Sequence, residues 1–386
     1  MILFFQAFVF FVLYVLFGLE YLFDPIGATQ HEFYGSVLKM TYPNETIIKV
    51  VFFNFFNFLF LLVGFYIGSK NGNKLPTKQF IQPNPIIVKI LINTTISLLT
   101  IILLYGIITN GFKYTPLVNY RHNYNFIFEM RIIPNLLIAY FIMIGGRFSF
   151  MQKILLFVYF LLLVSFQARS MILEFLGSLI IPILLKRGDK INYYYIGILG
   201  LLPFIPNIFI VARYWPMSFS EILSSLFSFE YTLLFNLIVA EVMNSYENAW
   251  MLGSSFYSSL FLLLPSFLRN IIGLDQQKHD IYGMILHDAG VFGGGFSLPA
   301  ELLLNYSWFA ILYFLLIGYI LGYGRKKILI RLEHSVAVTF IQTSYILFYI
   351  AFILSLRNDF GVFIKYIFQL WVIALFLDLF FRRGRL

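Results

Sequence analysis

Apolar residues fill this chain in long blocks that short polar or charged segments interrupt. About 20 apolar residues in a helix cross a hydrocarbon core of ~30 Å, because each helical residue rises 1.5 Å. The pattern predicts ten such helices, at residues 1 to 23, 47 to 68, 87 to 109, 132 to 145, 152 to 168, 170 to 185, 192 to 212, 300 to 322, 334 to 356 and 361 to 381. The first run has no Lys, Arg or small-residue cleavage site, so it is interpreted as a retained helix and not a signal peptide.

One connection, residues 213 to 299, is far longer than the others. Its apolar stretches at 222 to 240 and 256 to 268 are interrupted by Glu230, Glu241 and Pro265. Either stretch could cross the membrane, but we favour amphipathic or re-entrant helices on the outer face. The predicted fold is therefore an all-α polytopic membrane protein, a single membrane domain over residues 1 to 386 with about ten transmembrane helices and one large outer loop.

The composition agrees with a membrane protein. Hydrophobic residues make up 60% of the chain and charged residues only 12%, where a soluble domain has roughly 25% charged residues. The chain has no cysteine and five scattered histidines, so we expect no disulfide, no metal site and no cofactor. The net charge of +9 sets membrane topology and does not indicate nucleic-acid binding.

Basic residues are concentrated in alternate short connections. If the N-terminus is cytoplasmic, the inner segments hold Lys70, Lys74, Lys78, Arg147, Lys153, Lys186, Arg187, Lys190, Arg325, Lys326, Lys327, Arg331, Arg382, Arg383 and Arg385. The outer segments hold fewer basic residues over a much greater length. The positive-inside rule therefore predicts that both termini are cytoplasmic.

Several ionisable residues are predicted at the outer membrane boundary. Arg169 stands in the very short turn QARSM, and Glu174 follows five residues later, about 7.5 Å further along a helix that enters the bilayer. Arg357 and Asp359 stand in a second tight turn, LSLRNDFG. Arg213 begins the long outer loop. Charged groups from distant parts of the sequence are thus expected at one depth.

Two interpretations of these arginines remain open. Arginines at a membrane boundary commonly extend to lipid headgroups, which requires no common site. Alternatively, the guanidinium groups gather around a phosphate ester, with which Arg makes paired charge-assisted hydrogen bonds that Lys cannot copy. Arg169 and Arg357 occupy tight turns, which contact with headgroups does not require, and this favours the second interpretation.

The stretch HDAGVFGGGFSLPAELLLN joins the outer loop to the eighth apolar run. Gly293, Gly294 and Gly295 allow the backbone to approach a ligand closely. Ser297 is a candidate N-cap, and Glu301 follows at the start of the helix. A simpler interpretation is a flexible loop before a helix whose positive end favours Glu301.

GGGFSLPAELLLN resembles the glycine-rich loop and helix start of the O-antigen polymerases, the Wzy family. The matching residues are Gly293, Gly294, Gly295, Phe296, Ser297, Ala300, Glu301 and Asn305. The turns with Arg169 and Arg357 are similar to the arginine-bearing outer loops of that family. The family pattern leads us to expect a glycine soon after Asn305, where Tyr306 and Ser307 stand.

The resemblance implies glycosyl transfer at the outer face of a bacterial inner membrane, with an architecture like that of the lipid-dependent GT-C-like glycosyltransferases. The family joins oligosaccharide repeat units carried on undecaprenyl pyrophosphate. The implied partners are these lipid-linked oligosaccharides, membrane lipid and a chain-length regulator, with no nucleic acid.

Electrostatic stabilisation of the leaving pyrophosphate is assigned to Arg169 and Arg357, with Arg213 or Arg269 in support. Positioning or deprotonation of the acceptor hydroxyl is assigned to a carboxylate or an imidazole. The candidates are Glu301 first and His287 or Asp288 second. The expected substrate-binding residues also include Gly293, Gly294, Gly295, Ser297, Asn305 and Asp359.

Two other functions remain open. A flippase or other transporter of lipid-linked oligosaccharides also has many helices and basic inner loops, although transporters often show related halves, which this sequence does not. The O-antigen ligase, which transfers glycan onto a lipid A core, is the other alternative.

Overall fold

The computed structural model describes residues 44 to 71, 83 to 110, 130 to 165, 169 to 187, 231 to 246, 260, 263, 297 to 334, 338 to 356 and 360 to 383. Within these residues the regular secondary structure is helical. The α-helices are α1 (Asn44–Asn71), α2 (Pro85–Asn110), α3 (Ile132–Met143), α4 (Phe150–Ser165), α5 (Arg169–Arg187), α6 (Tyr231–Tyr246), α7 (Leu298–Tyr306), α8 (Ile311–Glu333), α9 (Phe340–Ser355) and α10 (Phe360–Arg383). A 3₁₀ helix, Ser307–Ala310, lies between α7 and α8.

Four helical segments in the described residues are long and apolar enough to cross a membrane. They are Asn44–Asn71, Pro85–Gly106, Leu298–Glu333 and Phe363–Phe381. Helices α3, α4 and α9 are apolar but shorter. The protein is thus an all-helical membrane protein in its described part. The runs predicted at 1 to 23 and 192 to 212 lie outside the described residues, and the total of ten spans stays a prediction.

The apolar run predicted at 300 to 322 is not one continuous helix. Helix α7 ends at Tyr306, and Ser307 has φ 50° and ψ −139°, a backbone conformation that interrupts an α-helix. All residues from Leu298 to Asn305 are buried, whereas α8 exposes Leu312 and Leu316 by more than half of their surface. A helix that is buried on all sides lies inside the protein. Helix α7 is therefore internal, whereas α8 exposes an apolar surface that is suited to contact with lipid.

The stretch predicted at 222 to 240 is represented by α6, which begins at Tyr231 and continues to Tyr246. Glu241, which the sequence pattern treated as an interruption, lies inside this helix and is 5% exposed. A carboxylate can be accommodated there because it is enclosed by protein and not by lipid. From the second stretch, at 256 to 268, the structure describes only Leu260 and Leu263.

The chain divides into two compact units. The first contains Met1–Ser69, Ser218–Tyr323 and Ala351–Phe368, and the second contains Lys70–Met217, Gly324–Ile350 and Gln369–Leu386. The single membrane domain expected from the sequence stays a prediction.

In the first unit, α1 packs on α8 through glycines. A Cβ atom added to Gly64 would lie 2.9 Å from the carbonyl carbon of Leu315, and one added to Gly68 would lie 2.9 Å from that of Tyr319. Real Cβ atoms do not approach backbone so closely. The absence of side chains at these two positions therefore permits the backbones to touch, as in GxxxG helix pairs of membrane proteins.

Helix α8 contributes the same spacing from its own side. Gly318 faces the carbonyl of Leu61, and Gly322 faces that of Phe65. Positions on α8 thus advance in the same direction as their partners on α1, so the two helices run parallel. This direction agrees with the predicted topology, in which the runs at 47 to 68 and 300 to 322 both pass from the outer to the inner side.

In the second unit, side chains define the starts of three helices. Asn84 accepts the Ile86 N–H at 2.9 Å, just before α2. Ser149 and Gln152 accept each other's backbone N–H groups at the start of α4. Such a reciprocal capping box satisfies amides that the first helical turn leaves without a carbonyl partner.

The start of α9 combines two capping devices. Thr339 and Gln342 form a second capping box, with N–H to oxygen distances of 3.1 Å. The buried carboxylate of Asp378, on α10, also accepts the N–H groups of Phe340 and Ile341, at 2.9 and 3.2 Å. The positive end of α9 explains why this acidic residue is stable inside an apolar helix.

Candidate functional site

Helix α7 starts as the sequence predicts. Ser297 is the N-cap in an extended conformation, and its Oγ accepts the Ala300 N–H at 3.4 Å. Pro299 stands in the first turn, where its missing N–H costs no hydrogen bond. Glu301 also lies in this turn, close to the positive end of the helix dipole.

The Glu301 side chain connects α7 to the start of α10. Its Oε2 accepts the backbone N–H of Phe360 at 2.6 Å, and the residue is fully buried. Phe360 is the first residue of α10. The carboxylate is therefore placed at the N-terminal ends of two helices, which both favour negative charge.

Hydrogen bonds to backbone carbonyls fix the remainder of α7. Asn305 donates through Nδ2 to the carbonyl of Glu301 at 2.8 Å, one turn back on the same helix. Asn244, on α6, donates through Nδ2 to the carbonyl of Leu303 at 2.6 Å. Because the Ser307 N–H donates to that same carbonyl, Leu303 is held by two donors at the point where the helix ends.

Several polar side chains are buried in the described part of the first unit. They include Asn54, Asn57, Asn236, Glu241, Asn244, Ser297, Glu301 and Asn305, each at most 8% exposed. Buried polar groups in a membrane protein are costly and commonly mark substrate or ion pathways. This unit therefore has a polar interior around the end of the predicted glycine-rich loop.

Arg169 is in the second unit, where it is the first residue of α5. The preceding helix ends at Ser165, so the connection is as short as the sequence predicts. The side chain of Arg169 lies outside the described part of the structure. Its predicted contact with a phosphate group stays a prediction.

Glu174 has a partner that the sequence did not suggest. Its two carboxylate oxygens accept the Nε and Nη2 hydrogens of Arg131, at 2.8 and 2.9 Å. Glu174 is 1% and Arg131 16% exposed at the side chain. The expected Glu174 facing the bilayer is thus a buried, doubly hydrogen-bonded ion pair that ties α5 to the residue preceding α3.

Other predicted site residues lie outside the described residues. They are Arg213, Arg269, His287, Asp288, Gly293, Gly294, Gly295, Arg357 and Asp359. Among the predicted site residues, the structure therefore describes the side chains of Ser297, Glu301 and Asn305, which it brings together on α7. Each of these three makes a hydrogen bond within the protein, and their contact with a substrate stays a prediction.

The described residues contain no group of three or more His, Asp or Glu side chains arranged to hold a metal ion. The arrangement offers a buried carboxyl group, several buried amide side chains and a break in a membrane helix. No protein-family model, curated protein or solved structure matches the chain.

Proposed function

We propose that this protein polymerises undecaprenyl-pyrophosphate-linked oligosaccharide repeat units by glycosyl transfer at the outer face of a bacterial inner membrane. Support comes from the resemblance of GGGFSLPAELLLN to the O-antigen polymerases and from the four membrane-length helices. The full architecture of this proposal has about ten transmembrane helices, a GT-C-like arrangement and both termini in the cytoplasm.

One observation carries the proposal: the hydrogen bond between the Glu301 carboxylate and the Phe360 N–H. Glu301 belongs to the glycine-rich motif, and Phe360 directly follows the sequence Arg357-Asn358-Asp359. Glu301 and Phe360, 59 residues apart in sequence, are therefore joined by a buried hydrogen bond, which supports the assignment of the glycine-rich motif and the arginine turn to one site. By accepting the Phe360 N–H, Glu301 fixes the start of α10, which directly follows the arginine turn in sequence.

The proposed reaction breaks the bond between the donor sugar and its pyrophosphate. The acceptor hydroxyl oxygen forms the new glycosidic bond, its proton passes to Glu301, His287 or Asp288, and the polyprenyl pyrophosphate leaves with the bonding electrons. Arg169 and Arg357, supported by Arg213 or Arg269, would pair with the growing negative charge on the leaving group. Interactions that strengthen as charge develops lower the barrier.

Purified protein incubated with lipid-linked repeat units tests the activity directly. We expect a ladder of products that differ by one repeat unit, and the same ladder in the presence of a chelator. A ladder abolished by chelator would contradict the metal-independent mechanism. Absence of any ladder from protein that is folded and supplied with substrate would contradict the proposed function.

Substitutions test the assigned residues. Arg169→Ala, Arg357→Ala and Glu301→Gln are each expected to abolish chain lengthening in cells while the protein remains inserted and expressed. Arg147→Ala, at an exposed arginine of the predicted inner segment, is the matched control and should leave chain length unchanged. Wild-type polymer from all three site variants would contradict the site.

The glycan phenotype of cells without the protein separates the alternatives. A missing polymerase leaves single repeat units on the cell surface. A missing flippase leaves undelivered repeats at the inner leaflet, and a missing ligase leaves polymer that is not attached to lipid A core. Either of the last two results would replace the proposed function by that alternative.

A further inference from the structure

Two asparagines of α1 are buried and make no side-chain hydrogen bond to any residue that the structure describes. Asn54 and Asn57 are fully buried, and among the described residues neither the Oδ1 nor the Nδ2 of either side chain has a partner. Burying an amide without a partner is unfavourable, more so in a membrane helix. A polar group retained under these conditions calls for a ligand or a solvent molecule as its partner.

The packing of α1 defines the level at which these asparagines lie. The ring of Phe53 meets that of Trp308 edge-to-face, with 5.9 Å between centroids. Leu61 on α1 faces Gly318 on α8, and the two helices run parallel. In this register Asn54 lies next to the end of the 3₁₀ helix Ser307–Ala310, and Asn57 lies one turn further, beside the first turn of α8. Irregular backbone at membrane depth occurs where it lines a cavity or is enclosed by protein.

A third asparagine approaches the same break from another helix. Asn244, on α6, is 8% exposed and donates to the Leu303 carbonyl at 2.6 Å, one turn before Ser307. Its Oδ1 has no partner among the described residues. Neutral amides with unused hydrogen-bonding capacity therefore flank the interruption between α7 and α8 from two sides.

We propose that Asn54 and Asn57, together with Asn244, form a subsite for the sugar hydroxyl groups of the lipid-linked oligosaccharide. This inference rests on the proposed function. A sugar hydroxyl both donates and accepts hydrogen bonds, as does a carboxamide, whereas a pyrophosphate requires cationic donors. Trp308, which is 38% exposed, supplies an aromatic face for the apolar side of a sugar ring. Entry of the sugar requires the 3₁₀ helix to separate from α1.

Binding of two probes by purified protein tests the subsite. One probe is the lipid-linked oligosaccharide repeat unit, and the other is undecaprenyl pyrophosphate without sugar. We expect Asn54→Leu and Asn57→Leu each to weaken binding of the first probe by about tenfold or more and to leave binding of the second unchanged. The melting temperature should not fall, because Leu replaces an amide that makes no hydrogen bond.

Asn93→Leu is the matched control. Asn93 lies on the membrane-length helix α2, and its Oδ1 accepts the Gln152 Nε2–H at 2.8 Å. Its replacement removes a hydrogen bond that exists, so we expect a lower melting temperature and unchanged binding of both probes. The control thus separates loss of a membrane-helix amide in general from loss of this subsite.

Three results would overturn the subsite: unchanged oligosaccharide binding, equal loss of both probes, or weakened binding accompanied by a lower melting temperature. Unchanged oligosaccharide binding would indicate that bound water, and not a sugar, is the hydrogen-bond partner of the asparagines. Weakened binding with a lower melting temperature would indicate that the asparagines stabilise the fold. The proposed function is judged separately, by the product ladder of the wild-type protein. Tighter binding of the oligosaccharide than of the carrier, without any ladder, would retain the subsite and contradict polymerisation.

Discussion

Individual polar residues are stable inside this protein where the backbone supplies their partners. Glu301 accepts the Phe360 N–H, and Asp378 accepts the first N–H groups of α9. Ser297 was predictable as a cap because a cap and its amide are close in sequence. The partners of Glu301 and Asp378 were not, since they are 59 and 38 residues away.

Among the non-glycine residues that the structure describes, Ser307 is the one with a positive φ. Its conformation, φ 50° and ψ −139°, is one that glycine adopts without strain. Ser307 is one of the two residues, with Tyr306, that stand where the O-antigen polymerase pattern led us to expect a glycine soon after Asn305. Strain of this kind amounts to roughly 1–3 kcal/mol, partly offset by the larger entropy loss of glycine on folding.

We therefore predict that Ser307→Gly stabilises the protein by about 1 kcal/mol, measured as thermal unfolding in detergent. Ser178→Gly is the control, because Ser178 lies within helix α5. That substitution should destabilise the protein by a similar amount. A lower melting temperature for Ser307→Gly would show that Ser307 is not strained.

At the level of helices, the charge that the sequence placed in the bilayer is neutralised by a neighbour. The Arg131 and Glu174 side chains make two hydrogen bonds across 43 residues of sequence. The sequence placed Glu174 near the outer boundary, but it contains no signal for the pairing with Arg131 because the pairing follows from how α3 packs on α5. Such a pair fixes the first half of α5, the helix that begins with Arg169.

Removing one member of this pair leaves the other charge buried. We predict that Arg131→Met or Glu174→Leu alone destabilises the protein by about 3–5 kcal/mol, whereas the two substitutions combined restore most of the stability. Unfolding of the four proteins in detergent gives the coupling between the two positions. Destabilisation of the double variant by the sum of the single effects would exclude a direct pair.

The glycine contact between α1 and α8 sets the distance between these helices. We predict that Gly318→Leu destabilises the protein by at least about 3 kcal/mol, because the new side chain meets the backbone of α1 and cannot be relieved by a change of rotamer. Val63→Leu is the control, since Val63 is 43% exposed on α1 and has room for one more methylene. Equal melting temperatures for the two variants would contradict the close approach.

For the molecule as a whole, the apolar pattern predicted the ends of α1, α2 and α10 to within three residues, whereas α8 continues to Glu333, eleven residues beyond the predicted run at 300 to 322. Apolar length determines which segments can cross a membrane, so α1 and α2 were recognisable from sequence. The periodicity missed the separation of α7 from α8, because Leu298 to Asn305 is as apolar as a lipid-facing segment but is enclosed by protein. The apolar pattern also does not predict which residues of the candidate site are in contact, since the partner of a side chain such as Glu301 depends on tertiary packing.

The parallel packing of α1 and α8 and the predicted topology together predict on which side of the membrane the ends of these helices emerge. The chain has no cysteine, so single cysteines can be introduced without background labelling. Parallel packing of α1 and α8 requires Asn71 and His334, which are exposed at the ends of these helices, to emerge on the same side. We predict that Asn71→Cys and His334→Cys react with a membrane-impermeant maleimide only after the inner membrane is permeabilised, because basic inner loops favour the cytoplasm.

Glu45→Cys, at a side chain that is 78% exposed at the opposite end of α1, should react without permeabilisation. Labelling of Asn71→Cys and His334→Cys from opposite sides would contradict the parallel pair, whereas labelling of both from outside would reverse the topology and the face on which the proposed reaction takes place.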